Sequence, residues 1–200
     1  MDATEIAPRL WRWTAPHPDW EPGAEPESVG DWPEEVGSVL FESRDGVAVF
    51  VDPQLPRDPE PFWPWADDRV GDRPVHVVST LRWHGRSRDA FAARYAAADG
   101  PPSDVELLPF PRLEETIVWL PEPQALVPGD RIVGAPGGGG LRLCPQSWLG
   151  FGAERPTVDE MRELLRPLLD LPVERVLVSH GEPVLVGGRD ALRGALSAGS

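Results

Sequence analysis

Side chains able to do chemistry are few in this chain, and most stand where an apolar run ends. Asp52 closes Val47-Ala48-Val49-Phe50-Val51 and precedes Pro53. The run from Val75 to Ser79 leads through Thr80 and Leu81 into Arg82-Trp83-His84-Gly85-Arg86. Ala125-Leu126-Val127-Pro128-Gly129 ends on Asp130, and Val176-Leu177-Val178-Ser179 ends on His180. Imidazoles and carboxylates bind metal ions and move protons. A guanidinium does neither: it keeps its charge, repels a divalent cation and suits an anion. Arg82 and Arg86 on either side of His84 therefore leave two chemistries open, metal ligation and anion binding.

Other catalytic patterns are missing. There is no Gly-x-Ser-x-Gly elbow, no His-Glu-x-x-His, and no dinucleotide glycine pattern after a strand. The run Gly137-Gly138-Gly139-Gly140 has no phosphate-binding lysine beside it and reads as a loop. Cys144 is the single cysteine, which excludes an intramolecular disulfide and a cysteine-rich zinc module; between Leu143 and Pro145 it reads as a small buried residue. His17, between Pro16 and Pro18, reads as a loop residue, and His76, among valines, as a core or edge histidine.

The elements around these residues follow from periodicity. Leu10 to Thr14 alternates as an edge strand, and residues 15–37, rich in Pro, Glu, Asp and Gly, read as a long loop anchored by Trp20 and Trp32. Strands 38–42 and 47–51 flank Asp45-Gly46, a hairpin signal because glycine takes the positive φ of the turn. The continuous apolar run 75–79 predicts a strand covered on both faces. Ser87 and Asp89 then start a helix that buries Phe91 and Tyr95. A second hairpin spans 115–120 and 125–127. Thr157 with Glu160 forms a capping box before the stripe Met161, Leu164, Leu165, Leu168, with a kink at Pro167. Strand 173–178, a short strand at 183–186 and a helix from about Arg189 close a single domain over 1–200.

Two hundred residues with 40% hydrophobic side chains, nine Trp and six Phe suit one packed core despite 25 prolines. The 19 basic residues are all arginine and the net charge is −14, which argues against nucleic acid and anionic membrane surfaces as partners. No apolar run reaches the roughly 20 residues of a membrane span, and the acidic N-terminus lacks a signal pattern. The expectation is a cytoplasmic protein, monomer or homodimer, acting on a small molecule that the sequence does not specify.

The strand-end segments, in this order and spacing, resemble the metallo-β-lactamase superfamily. Its members end the first such strand on Thr-His-x-His-x-Asp-His, the middle one on Gly-Asp and the last on a Ser/Gly-His-Gly turn. The resemblance covers about residues 36–196 and implies a four-layer αββα sandwich of two mixed sheets. It also implies a site at one sheet edge that gathers the segment 82–86, Asp130, His180 and the loop after Asp52. Without a gap, Thr80 matches, but the ligand positions of the first motif fall on Leu81, Trp83, Gly85 and Arg86. Asp130 and His180 match ligands of the family's two-metal centre. The primary reading is thus a degenerate, metal-free site in which Arg82 or Arg86 pairs with Asp130 and a small ligand, anions included, is held by Arg82, Arg86, His84 and His180. A one-residue slip gives the alternative, a hydrolase with one zinc ion on His84, Asp130 and His180. A third reading makes the tryptophan-rich N-terminal loop a docking surface for a partner protein. In the resembled fold, loops carrying Trp63, Trp65 and Trp148 border the mouth of the site.

Overall fold

The computed structural model describes residues 3–95, 101–150 and 155–197. Its first sheet has the order β1 (Thr4–Ala7), β2 (Leu10–Pro16), β3 (Glu35–Glu42), β4 (Ala48–Val51), β5 (Val75–Val78), antiparallel except for the parallel pair β4–β5. The second runs β11 (Arg175–Val176), β8 (Ala125–Val127), β7 (Glu115–Leu120), β6 (Glu106–Phe110), with β11–β8 parallel and the rest antiparallel. β9 (Ile132–Gly134) and β10 (Leu141–Leu143) form a separate ribbon. The helices are α1 (Trp63–Val70), α2 (Arg88–Arg94), α3 (Val158–Leu165) and α4 (Gly188–Ser197).

The two-residue period of the strands builds the layers. Val39, Phe41, Val49 and Val51 share one buried cluster with Val118, Leu120 and Val127 of the other sheet. Their neighbours Leu40, Ala48 and Phe50 turn away to meet Phe62, Ala66 and Val70 at α1 and Phe91 of α2. Ile117, Trp119 and Leu126 turn the opposite way, onto Met161 and Leu165 of α3 and Leu192 and Leu196 of α4. Two sheets face each other with helices outside, the αββα sandwich the sequence implies. No helix among the described residues is long and apolar enough to cross a membrane.

Local differences have simple causes. β2 is an inner strand, because β1 pairs with its far side, and it runs to Pro16, so the long loop spans 17–34. β5 is the edge of the first sheet, which leaves His76 and Val77 half-buried while Val75 and Val78 are covered. Only Arg175 and Val176 of the segment 173–178 pair as strand. Its later residues cross toward the first sheet, where Ser179 O accepts Gly37 N at 2.7 Å, yet Val173, Leu177 and Val178 are buried. Gly46 takes φ 77° in the first hairpin. The capping box forms, with Thr157 Oγ1 accepting Glu160 N–H and Glu160 Oε2 accepting Thr157 N–H, and α3 gives way at Pro167 to a 3-10 turn. Ser87 occupies the N-cap of α2, but its hydroxyl accepts from Leu55 N instead of capping.

Candidate functional site

The parallel pairs β4–β5 and β8–β11 bring their C-terminal ends to one edge of the sandwich. Asp52 follows β4, and its carboxylate accepts Thr80 N–H at 2.8 Å and faces His84 Nδ1 at 2.8 Å. His84 sits on the single turn Arg82–Gly85 after β5. Asp130 follows β8, on a chain passing so close to Thr80 and Leu81 that a Cβ on Gly129 would lie 2.7 Å from both side chains. The turn after β11 carries His180, pinned by Gly134 N–H to His180 O at 2.9 Å and a bridge to Val36. Gly181 takes φ 84°, which favours glycine, and a Cβ there would lie 3.0 Å from Gly134 Cα.

These three side chains converge. His84 Nε2 lies 2.9 Å and His180 Nε2 3.2 Å from Asp130 Oδ1, and all three residues are buried. Neither ring N–H is aimed at that oxygen, which has no hydrogen bond of good geometry. Asp130 Oδ2 accepts Trp83 Nε1–H at 2.9 Å. One ligand atom from each of the three lies within 4.8 Å of the others. Ligand atoms about 2.1 Å from a tetrahedral zinc are roughly 3.4 Å apart, so the two His–Asp130 separations sit slightly inside the ligand spacing of such an ion. Asp52 at His84 Nδ1 supplies the carboxylate–imidazole contact that fixes the tautomer of a metal-binding histidine and leaves Nε2 for the ion. Among the described residues this is the one group of three that converges so.

Charge reinforces the cluster. Burial works against a charged His84, but the carboxylates of Asp130 and Asp52 outweigh it and push the imidazole up to about 9. Asp130 is held well below the usual carboxylate range: burial opposes this, and His84 and His180 overcome it. Asp52 is likewise lowered, with burial outweighed by His84, Arg86 and Thr80. Burial lowers His180 against the pull of Asp130.

The arginines depart from the sequence reading, in which one of them pairs with Asp130. Arg82 is exposed and lies over the Trp83 ring at 5.4 Å. Arg86, at φ 36°, runs behind His84: it donates to Ser179 Oγ at 2.6 Å and to the carbonyls of Gly37 and Asp52, and Nη2 lies 3.3 Å from His84 Nε2. Histidines, not guanidinium groups, flank Asp130, because the turn 82–85 aims its inner face with His84 into the edge and leaves Arg82 outside. Asp52 and Arg86 support the site from behind and do not line its cavity.

A second buried pair shapes the site without entering it. Glu115, at the start of β7, accepts the backbone N–H groups of Gly129, Asp130 and Arg131 at 3.0–3.2 Å. Burial, opposed mainly by Arg131, pushes its carboxyl up to about 7. Arg131, 2% exposed, donates to Leu113 O and Trp148 O, and so ties the Asp130 turn to the loop carrying Trp148. Neither residue stands out in the sequence as part of a site; a charged residue next to Asp130 and another opening an apolar strand are the only signal there.

Over the cluster lies a cavity of about 770 Å³. Its lining includes Arg82, His84, Asp130 and His180, the indoles of Trp32, Trp83 and Trp148, and His17. The loop 17–34 roofs it: Trp148 Nε1 donates to Ser28 O at 2.8 Å, Trp20 Nε1 to Trp32 O at 3.0 Å, and Trp32 packs against Trp148 and His180. Trp32 is thus turned inward. Of the three tryptophans expected at the mouth, only Trp148 is there; Trp63 and Trp65 pack on Phe62 at α1. His17, expected as a plain loop residue, belongs to the lining.

Comparison with known proteins agrees with this architecture. No family model and no curated protein matches the sequence. Solved structures do match over nearly the whole chain. One is the metallo-β-lactamase DIM-1 exposed to ceftazidime, with a TM-score of 0.62 and 13% identity over 98% of this chain and 95% of that one. Another is TMB-1, at 0.60 and 14% over 97% of each. A metallo-β-lactamase from Pontibacter korlensis aligns at 0.54 and 17% over 98% and 97%. The chain has the metallo-β-lactamase fold. At such identities the likeness is one of fold, and the site speaks through its own residues.

Proposed function

We propose that this protein is a small-molecule hydrolase with one catalytic metal ion, held by His84, Asp130 and His180 at the floor of the tryptophan-lined cavity. The observation that carries this is the convergence of two Nε2 atoms on Asp130 Oδ1 without a directed hydrogen bond. A divalent ion such as zinc supplies Lewis acidity and lowers the pKa of its water. The chain's own residues do the rest. Asp52 keeps a proton on His84 Nδ1, Trp83 occupies the second oxygen of Asp130, and Glu115 fixes the backbone of the Asp130 turn. The indoles limit water around the ligand and offer it an apolar wall.

A second reading is a metal-free pocket for a small anion. It is favoured by Arg86 Nη2 at 3.3 Å from His84 Nε2, a positive charge where an ion would be repelled. In that state Asp52 and Asp130 are balanced by a protonated His84 and Arg86. Hydrolysis of 4-nitrophenyl acetate separates the two. The hydrolase reading expects zinc-dependent turnover that chelation removes, that zinc restores, and that Asp130→Asn abolishes. Turnover indifferent to zinc and to Asp130 contradicts it.

A further inference from the structure

His17 is held more firmly than a solvated loop residue needs to be. Pro16 and Pro18 restrict its backbone, and its N–H donates to Glu34 O at 2.7 Å. Its ring packs on Trp32 with centroids 5.6 Å apart. Nδ1 accepts the amide N–H of Asp19 at 3.1 Å, so the neutral ring carries its proton on Nε2. Nε2 has no hydrogen-bond partner among the described residues, and the ring lines the 770 Å³ cavity on the side of the loop, with His84, Asp130 and His180 lining it too. Burial, then the positive groups Arg86 and His180, lower its pKa against the pull of Asp19. Around this donor the cavity is aromatic: Trp32 and Trp148 meet edge to face at 6.1 Å, and Trp83 stands 41% exposed beside Asp130. Arg82 lines the same cavity with no carboxylate partner among the described residues, a local positive charge in a chain of net charge −14.

We infer that the cavity takes a small aromatic oxygen acid or its ester, with its ring against the Trp32, Trp83 and Trp148 indoles and an oxygen hydrogen-bonded by His17 Nε2–H. Arg82 supplies the long-range attraction for the acid. Planar rings gain from indole walls in a way that aliphatic ligands of the same volume do not, and an imidazole N–H in the wall of a cavity, without a protein acceptor among the described residues, rewards an acceptor oxygen and penalises a ligand that lacks one. This inference rests on the cavity being the functional pocket, as in the proposed function, and not on the metal ion.

The test is a titration of the full chain, zinc-free and zinc-loaded, with 4-nitrobenzoate, read by quenching of tryptophan fluorescence, and with nitrobenzene as the ring without the acid. Wild type is expected to show saturable quenching by 4-nitrobenzoate in both forms. His17→Ala weakens it about tenfold, a loss of the order of one hydrogen bond. His17→Gln, which keeps a donor, recovers part of the loss, and Arg82→Ala weakens 4-nitrobenzoate but not nitrobenzene. Matching thermal melts of the His17 variants separate lost binding from lost folding. Absence of saturable quenching in wild type overturns the inference, and so does equal affinity in wild type, His17→Ala and His17→Gln. Binding of 4-nitrobenzoate without zinc uptake or ester hydrolysis leaves this inference standing and removes the hydrolase.

Discussion

Two tryptophan clusters in this molecule use the same residue for opposite ends. Under α1 and α2, Trp13 is 1% exposed, with ring centroids 5.3 Å from Phe62, 5.8 Å from Trp65 and 6.3 Å from Phe50, and its Nε1–H donates to Gln54 O at 2.8 Å. Every edge of that indole ends on protein. At the sheet edge, Trp32 and Trp148 touch each other and His180, and Trp83 gives its N–H to Asp130, yet each keeps surface facing a cavity. The closed cluster is core and the open one is a binding wall. What separates them is the polar end of the neighbourhood: a backbone carbonyl in the first, a histidine–carboxylate cluster in the second.

The contrast predicts where substitutions hurt. Trp13→Ala opens a large void in the closed cluster and is expected to cost about 3–5 kcal/mol, a fall in melting temperature of roughly 10 °C or more. His84→Ala has a cost of the same order, about 3–5 kcal/mol in zinc-free protein, because it leaves Asp52 and Asp130 buried beside each other without their shared cation; urea titration in EDTA measures it. Glu115→Gln keeps the shape but replaces one acceptor oxygen by a donor against three backbone N–H groups, for about 1–3 kcal/mol. Trp83→Phe at the open wall is expected to change stability by less than about 1 kcal/mol, while it frees Asp130 Oδ2. A Trp83→Phe protein as unstable as Trp13→Ala would erase the distinction between wall and core.

Acidity sharpens the same picture. His84 is raised to about 9, so in zinc-free protein its contribution to stability is complete below its ordinary value near 6.5 and is lost as the pH climbs through about 9. Asp130, held low, contributes in the opposite sense: its share is present above the usual carboxylate range and is lost on acidification. Melts in EDTA should therefore fall on both sides, with the alkaline fall absent in His84→Ala. Zinc competes with the proton on His84, so its affinity should rise about tenfold per pH unit toward pH 9.

Much of this was legible in the residues, and what was not has a physical reason. The alternation of Val39 to Phe41 and of Ile117 to Leu120 encodes two covered faces per sheet, and Asp45-Gly46 encodes the hairpin between β3 and β4. His84, Asp130 and His180 are separated by more than forty residues, yet strand ends at one edge of the fold gather them. The partners of Asp130 were harder to read, because Arg82 and Arg86 are each two residues from His84, in a turn whose facing only packing decides. Trp63 and Trp65 gave no sign of facing a helix layer instead of the mouth. His17 lies on a loop with no periodicity, and only its contacts with Asp19, Glu34 and Trp32 show that it is held in place.

Metal content is the decisive property of the His84, Asp130 and His180 cluster. Purified protein, stripped with chelator and titrated with zinc, is predicted to bind one ion per chain, with the stoichiometry lost in His180→Ala and in Asp130→Asn while both variants still melt cooperatively. Binding of no zinc by the wild type, or of one ion that neither substitution disturbs, would contradict the account and leave the Arg86-balanced, metal-free pocket in its place.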